Sequence, residues 1–367
     1  MTSSLPPLYD SQQPWNGLPE LPPNTEIESK EILKACIAAR TELARVNALV
    51  ETLPNKDILI QAIPLQEARS SSEIENIVTT SDALYRALAS NGSEADANAK
   101  EVLRYREALW QGMDKMGEAQ SLTIPLFESI CSRIRSVEVR VRNRQVMIGN
   151  PVTGNITYTP PNGAQHLTHL LTNLEHFLMD NQDGVDPLVK MAVMHYQFEA
   201  IHPFLDGNGR TGRILNILYL LHRRLLSTPV LYLSRFFIAH QDNYYRFLLE
   251  VTERNDWQQW ILYVLKAVES ASQNTATTIE AMRALRDDIF HTAKAGKTKA
   301  AERQGFIELL FEWPYCKINI VERKLECSRI TATRYLNEMA KLGLLERIKR
   351  GREYYYVNTR LIDLLAE

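Results

Sequence analysis

The most informative part of this chain is His202-Pro203-Phe204-Leu205-Asp206-Gly207-Asn208-Gly209-Arg210-Thr211-Gly212-Arg213. Twelve consecutive residues combine a potential base, a hard oxygen ligand, three glycines and two arginines. Glycine lets backbone N–H groups converge on an anion, and guanidinium groups match phosphate oxygens in pairs. The stretch therefore predicts a site that binds a polyphosphate and acts on it.

The residues on either side of this stretch decide between two kinds of phosphate site. Gly207 to Gly212 matches the G-x-G-x-x-G pattern of dinucleotide-binding folds, which requires a strand immediately upstream. The apolar residues of 190–201 recur at helical spacing instead. A second helix beginning near Arg210 would direct its N-terminus at the same anion. We therefore expect helix–loop–helix and reject the dinucleotide fold. No G-K-[ST] follows the loop, which excludes a P-loop.

Composition restricts the class of protein. A chain of 367 residues predicts two or three domains, and its net charge of -2 gives no overall attraction to nucleic acid or membrane. The four cysteines are widely spaced, which argues against zinc and against a disulfide framework. No leader pattern and no apolar stretch of about 20 residues is visible. We expect a cytoplasmic protein without membrane contact.

Helical periodicity dominates the chain up to residue 271. It predicts helices at 28–53, 66–90, 100–117, 125–134, 167–179, 187–201, 213–226, 243–253 and 257–271. Pro54 is expected to end the first helix. The exception is a predicted β-hairpin, with strands at 145–148 and 155–158 around turn residues 149–154. A small, charged linker is expected near 294–299.

The C-terminal segment has a pattern of its own. Predicted helices at 306–311, 320–325 and 330–342 precede two short strands with a basic tip at 349–352, which is typical of a winged helix-turn-helix. Residues 301–367 hold 12 Lys and Arg against 10 Asp and Glu, a modest excess for a DNA-binding module. The pattern leaves open whether residues 300–367 bind DNA or protein.

The stretch 202–213 matches H-P-F-x-[DE]-G-N-G-R-x-x-R at every fixed position and so resembles the Fic family motif. The resemblance implies a mainly α fold, in which a Fic helical bundle carries a β-hairpin flap. It implies an N-terminal helical region at 1–100, a catalytic domain at 101–275 and the winged helix-turn-helix domain at 300–367. The implied activity is transfer of AMP from Mg-ATP to a hydroxyl of a target protein.

The same resemblance implies a role for most motif residues. His202 is the general base, Asp206 the Mg²⁺ ligand and Asn208 an α-phosphate contact, while Gly207 and Gly209 form an anion hole. Two arginines hold the β- and γ-phosphates, and Phe204 orients the loop from the core. The implied ATP and phosphate contacts are Leu205, Asp206, Gly207, Asn208, Gly209, Arg210, Thr211 and Arg213.

Two further segments border the implied nucleotide site. The predicted hairpin resembles the family's flap, which aligns a target segment as an added strand, and Ile156, Thr157 and Tyr158 would border the nucleotide. Asn243, Tyr244 and Tyr245 would flank the adenine. An interface between helices explains either tyrosine alone equally well.

Ser71 and Glu75 form the third element around the motif. The sequence Ser71-Ser72-Glu73-Ile74-Glu75-Asn76 resembles the family's inhibitory pattern [S/T]-x-x-x-E-[G/N]. Glu73 does not fit, because Arg69 stands four residues before it. The resemblance implies that Glu75 obstructs the γ-phosphate site at Arg213.

The resulting prediction is a self-inhibited protein adenylyltransferase. Its implied partners are target proteins, the chain itself through automodification, and a second copy in a homodimer. Alternatives within the fold are removal of AMP from modified proteins and transfer of another phosphate-containing group. A DNA-binding regulator that only senses a nucleotide is the alternative from another class, and a sensor has no use for His202.

Overall fold

The computed structural model describes residues 9–53, 55–90, 92–93, 95–119, 121–149, 153–350 and 353–366. Four features predicted from the sequence fall partly or wholly outside these residues: Pro54, the hairpin turn at 150–152, and Gly351 and Arg352 at the basic tip. No helix in the described ranges combines the length and apolar character needed to cross a membrane.

Helices make up most of the described chain, in line with the predicted mainly α class. In chain order they are α1 (Lys30–Glu51), α2 (Asp57–Ile74), α3 (Ser81–Ala89), α4 (Ala97–Ala119), α5 (Ile124–Arg135), α6 (Ala164–Met179), α7 (Pro187–Ile201), α8 (Asn208–His222), α9 (Ser234–Ala239), α10 (Gln241–Arg254), α11 (Trp257–Ala295), α12 (Lys299–Glu302), α13 (Phe306–Glu312), α14 (Ile318–Leu325), α15 (Arg329–Lys341) and α16 (Thr359–Ala366).

Two sheets complete the described residues. Strands β1 (Ile148–Gly149) and β2 (Ile156–Tyr158) pair antiparallel at the position of the predicted hairpin, although each is shorter than expected. Strands β3 (Tyr315–Cys316), β4 (Glu346–Arg350) and β5 (Glu353–Val357) form a sheet in the order β3-β5-β4. The sequence did not predict β3, because two residues are too few to show an alternating pattern.

Three helix predictions were wrong in their bounds. The predicted helix 66–90 is two helices, because Glu75 leaves helical geometry and Asn76 has a left-handed φ of 63°. The helix predicted at 213–226 begins earlier, at Asn208, and ends at His222. The helix predicted at 257–271 continues as α11 to Ala295, since its buried residues recur as far as Ala293 and pack against α1.

Helix α7 lies at the centre of the molecule and positions the motif. Pro187 stands at its first turn, and Asp186 caps it by accepting from the Leu188 N–H at 2.8 Å. Its sides are buried against α6, α8 and α11. Buried Lys190 donates to the carbonyl oxygens of Phe177 (3.0 Å) and Asp180 (2.5 Å). A helix buried on all sides gives its C-terminal end a fixed position, and the motif begins there.

Candidate active site

The motif is a loop between two buried helices, as the sequence predicted. Helix α7 ends at Ile201, and His202 follows with a left-handed φ of 48° while its N–H donates to Phe198 O at 3.0 Å. Gly207 has φ 88°, a value that favours glycine, and α8 begins at the next residue. Phe204 is fully buried beneath the loop. The first N–H groups of α8 have no partner within the helix and are available to an anion.

Asn208 closes this loop on itself. Its side-chain oxygen accepts from Phe204 N at 2.8 Å, and its amide nitrogen donates to Phe204 O at 2.8 Å. The side chain is 2% exposed. The amide implied for an α-phosphate contact is therefore engaged with the loop backbone in this structure.

The geometry of His202 fixes its tautomer. Nδ1 lies 3.3 Å from the carbonyl oxygen of Glu199, and a carbonyl can only accept, so Nδ1 carries the proton. Nε2 is left with the lone pair. Burial lowers the pKa of His202 to about 4, against a smaller opposing effect of the Glu199 hydrogen bond. The imidazole is therefore neutral at pH 7 and able to accept a proton.

Arg213 is buried and already bound to the N-terminal region. Its Nε donates to Ser71 Oγ at 2.7 Å, and its Nη2 donates to Ser71 O and to Glu75 Oε1, each at 2.8 Å. Burial alone would raise the pKa of Glu75, but the charge and hydrogen bond of Arg213 hold it below its ordinary value. Glu75 is thus an ionised carboxylate at the guanidinium.

A cleft of about 560 Å³ joins these groups, and its size suits a small-molecule ligand. Among the predicted site residues it is lined by Glu75, Thr157, Tyr158, His202, Gly209, Arg213, Tyr244 and Tyr245. Further lining residues are Ile148, Gly149, Tyr196, Glu199, Ala200, Leu248, Leu249 and Thr252. The base, the buried guanidinium and the carboxylate that contacts it therefore face one space.

Comparison with known proteins gives three family matches. They are the Fic/DOC family N-terminal model over residues 33–114, the Fic/DOC family model over 98–220 and the protein adenylyltransferase SoFic-like C-terminal domain over 285–361. The chain belongs to the Fic family. The central match contains the whole motif of 202–213.

Curated relatives of this Fic chain are named protein adenylyltransferases. One is protein adenylyltransferase fic-1 of Caenorhabditis elegans, 29% identical over 43% of this chain and 28% of that protein. Another is a probable protein adenylyltransferase of Aquifex aeolicus, 26% identical over 44% of this chain and 49% of that protein. The aligned part of the chain thus spans less than half of each of these relatives.

Two solved structures share the Fic fold. A Fic family protein from Desulfovibrio desulfuricans G20 superimposes with a TM-score of 0.58 and 22% identity, over 92% of this chain and 98% of that chain. A Fic domain-containing signaling protein from Bacteroides thetaiotaomicron gives 0.53 and 17%, over 66% and 95%. The first likeness extends over nearly the whole length of both chains.

Asp206, the implied metal ligand of the Fic motif, is an exposed carboxylate between two arginines. It pairs with Arg135 and lies 3.6 Å from Arg210, whose Nη1 also contacts Glu101 at 2.5 Å. No group of three His, Cys, Asp or Glu side chains in the described ranges could hold a metal. A single accessible carboxylate fits Mg²⁺ that binds through one protein ligand, substrate phosphates and water.

The aromatic residues implied for the adenine differ from one another. Tyr244 is buried in an aromatic cluster, with its hydroxyl 2.9 Å from Nε2 of His195 and its ring 5.8 Å from that of Trp260. Tyr245 is 49% exposed at the cleft. Asn243 lies outside the cleft lining and accepts from Arg246 at 3.1 Å. Both tyrosines line the cleft, but packing between helices accounts for buried Tyr244, and Tyr245 offers the larger accessible surface.

Other predicted contacts lie outside the cleft lining. Ile156 is in β2 but does not line the cleft, Leu205 is exposed at 60%, and Thr211 is fully buried in α8. Contact from these side chains to a nucleotide in this cleft is not supported by their positions. Of their sequence neighbours, Thr157 lines the cleft, whereas the charged groups of Asp206 and Arg210 lie outside its lining.

Residues 9–16 run along the outer edge of the Fic flap. Tyr9 donates through its hydroxyl to Thr157 O at 2.6 Å, and the Trp15 N–H donates to Thr159 O at 2.9 Å. Thr159 Oγ1 donates to Ser11 O at 2.5 Å. Strand β1 pairs with the opposite edge of β2. We call residues 9–16 the strap.

Arg142 is a site residue that the sequence did not reveal. Its Nε donates to His202 O at 2.8 Å, and its Nη2 donates to Pro161 O at 2.6 Å and Ile201 O at 3.3 Å. It is 2% exposed and joins the end of α7 to the base of the flap. Its neighbours Arg140 and Arg144 are also arginines, so composition and periodicity do not distinguish it.

Proposed function

We propose that this chain is a self-inhibited protein adenylyltransferase that transfers AMP from Mg-ATP to hydroxyl groups of target proteins. The observation that carries the proposal is the arrangement of one cleft: a neutral His202 with a free Nε2 faces it together with buried Arg213. The names of the curated relatives support the same activity.

Each residue of the site has a separate role in the proposed transfer. Arg213 and the first N–H groups of α8 bind phosphate oxygens, and Arg210 adds charge beside them. His202 Nε2 takes the proton of the acceptor hydroxyl as its oxygen attacks the α-phosphorus, and pyrophosphate leaves. Mg²⁺ held by Asp206 would neutralise phosphate charge. Arg142 fixes the carbonyl of His202 and so the position of the base.

Inhibition follows from competition for Arg213. The Glu75 carboxylate occupies the guanidinium donor that a terminal phosphate requires, and its negative charge repels that phosphate. Ser71 holds Nε of the same guanidinium. ATP can therefore bind productively only after Glu75 withdraws.

Mass spectrometry of the full chain incubated with Mg-ATP tests this proposal. Glu75→Gly should raise automodification by AMP about tenfold or more, because a hydrogen bond to a charged group is worth about 1.5–3 kcal/mol. Glu73→Gly is the matched control, since it weakens the same helix end without touching the ion pair. An equal effect of both variants would show that Glu75 has no special role.

His202→Ala, in the Glu75→Gly background, tests the base. Transfer should fall by about 10²–10⁴-fold, the usual contribution of general base catalysis, while Mg-ATP still binds. Calorimetric titration measures the binding separately. Transfer that persists at the parental rate would remove His202 from this role.

We further propose that residues 300–367 contact protein rather than DNA. Three of their basic side chains have carboxylates close by: Arg329 at 3.7 Å from Glu322, Arg334 at 3.9 Å from Glu338, and Lys324 at 2.7 Å from Glu312. Ile330, at the start of α15, is 83% exposed. Retention of the chain on duplex DNA with a steep dependence on salt would contradict this proposal.

A further inference from the structure

One carboxyl oxygen of Glu199 has no hydrogen-bond partner among the residues that the structure describes. It stands three residues before His202 on α7, and its side chain lines the cleft. Its Oε1 is buried and makes no hydrogen bond within the described part of the chain. Buried polar groups are nearly always paired, and leaving one unpaired costs stability.

The surroundings of Glu199 place its carboxyl against the first turns of α8, at the residue that precedes Arg213. It lies over the first turns of α8, since a Cβ added at Gly212 would come within 2.5 Å of Oε1. The charged and titratable groups around it are Arg213 on α8, Glu75 after α2, Tyr244 and Tyr245 on α10, and His195 one turn earlier on α7. Burial keeps His195 neutral, since it lowers the pKa of that imidazole to about 3. A phosphate that replaces Glu75 at Arg213 therefore enters the space next to Glu199.

Burial determines the charge of Glu199. It raises the pKa of this carboxyl to about 8, although the positive charge of Arg213 acts in the opposite direction, and the negative charge of Glu75 adds to the rise. At neutral pH the group is a neutral acid with one O–H donor. Above pH 8 it becomes an anion that can only accept and that repels phosphate.

We propose that Glu199 is a positioning residue for the nucleotide, and that its protonated carboxyl donates a hydrogen bond to an oxygen of the phosphate bound by Arg213. The inference rests on the proposed function, because it takes Arg213 as the site of a terminal phosphate. It assigns the orphan oxygen a ligand as its partner. It also explains why an acid can stand beside a phosphate-binding arginine without excluding phosphate.

The test is the affinity of the full-length Glu75→Gly protein for Mg-ATP, measured by calorimetry between pH 6.5 and 9.5. In Glu75→Gly, the parent of this series, the dissociation constant for Mg-ATP should rise about tenfold per pH unit once Glu199 ionises. The reason is that the fraction of protein with a protonated Glu199 falls by that factor. The pH at which affinity begins to fall should lie below the Glu199 pKa of the wild-type protein. The negative charge of Glu75, which disfavours the Glu199 anion, is absent from this variant. Glu199→Gln keeps a neutral donor and should remove the alkaline loss.

Glu199→Leu and Glu107→Gln complete the experiment. The leucine variant lacks the donor and should bind Mg-ATP more weakly than the glutamine variant at pH 7, with circular dichroism reporting whether it folds. Glu107 pairs with Arg133 on the surface and serves as the control for a lost carboxylate, which should leave the alkaline loss in place.

The same alkaline loss in Glu199→Gln as in the parent would overturn the inference, even if AMP transfer is observed. Binding that depends on Glu199 without any AMP transfer would refute the proposed function alone.

Discussion

At the level of single residues, the low pKa of His202 sets the acid limit expected for the proposed reaction. The folded protein keeps this imidazole neutral well below the ordinary histidine range, because burial opposes its charge. The unprotonated base should therefore persist as pH falls and should be lost only near pH 4.

The pH profile of AMP transfer by Glu75→Gly tests this prediction. We expect kcat/KM to show no histidine titration between pH 5.5 and 7.5, since this ratio reports groups of the free enzyme. Removing Glu75 should lower the His202 pKa further, because Glu75 raises it in the intact protein. An acid limb with a midpoint near 6.5 would mean that the imidazole is solvated and not held as described.

Arg142 gives a second prediction at this scale. In Arg142→Met the carbonyl oxygens of Pro161, Ile201 and His202 lose a common donor. We expect transfer to fall about 100-fold, since small displacements of a catalytic group have effects of that size, while Mg-ATP binding changes little. Denaturant unfolding should show a loss of about 2–4 kcal/mol, which two or more charged hydrogen bonds account for. Unchanged kinetics would mean that the end of α7 holds His202 unaided.

At the level of elements, buried hydrogen bonds anchor the middle of helix α2, whose C-terminal end carries Glu75. Glu67, 1% exposed, accepts from Ser234 N at 2.9 Å, Ser234 Oγ at 2.5 Å and Tyr105 Oη at 3.2 Å. Ser70 bonds Tyr232. Glu75 lies beyond the last helical residue, at the C-cap. Withdrawal of Glu75 therefore needs only the turn after α2 to change, and not the helix.

Asn76 controls that turn and provides the test. Its left-handed backbone suits Asn or Gly and disfavours a β-branched residue by about 1–2 kcal/mol. Asn76→Val should loosen the turn and raise automodification by about 5- to 30-fold, the population change for that energy. Asn76→Gly should stay close to wild type, as measured by AMP incorporation in parallel. Equal incorporation by both variants would show that the turn does not hold Glu75.

At the level of the whole molecule, the C-terminal segment is packed on the region that carries Glu75. Helix α13 lies on α2, and the ring of Tyr315 stacks on that of Tyr85 with centroids 6.3 Å apart. The Tyr315 hydroxyl bonds Asp82, and Tyr85 accepts from Gln66 of α2 at 3.0 Å. The C-terminal segment thus packs against both α2 and α3.

Tyr315→Ala should therefore weaken inhibition from a distance. We expect a lower Tm, because a large buried aromatic is removed, and a moderate rise in automodification. Tyr354→Ala on the exposed hairpin is the control, since that ring does not touch α2 or α3. A lower Tm with unchanged automodification would mean that the contact stabilises the chain without affecting Glu75.

The sequence predicted the parts of this fold that depend on neighbouring residues. The helix–loop–helix around 202–213 and the hairpin position follow from periodicity and turn residues over short spans. Arg142 was not predictable, because it bonds His202, 60 residues away. Glu199 was missed because a glutamate in a helix is ordinarily exposed. The break after Ile74 was missed because neither glycine nor proline stands at position 75 or 76. Tertiary contacts of α2 decide where this helix ends.

The strap has a consequence for which proteins could be substrates of the proposed transfer reaction. An edge strand with unpaired backbone groups can pair with any extended polypeptide. An enzyme with such an edge at its active site would also modify unfolded proteins that are not its targets. Here the outward carbonyl oxygens of Thr157 and Thr159 already accept hydrogen bonds from the strap. A tethered segment competes at an effective concentration in the millimolar range. Under the proposed function, a target segment would have to displace residues 9–16 before it could pair with this edge of β2, so polypeptides that bind weakly would not reach the base.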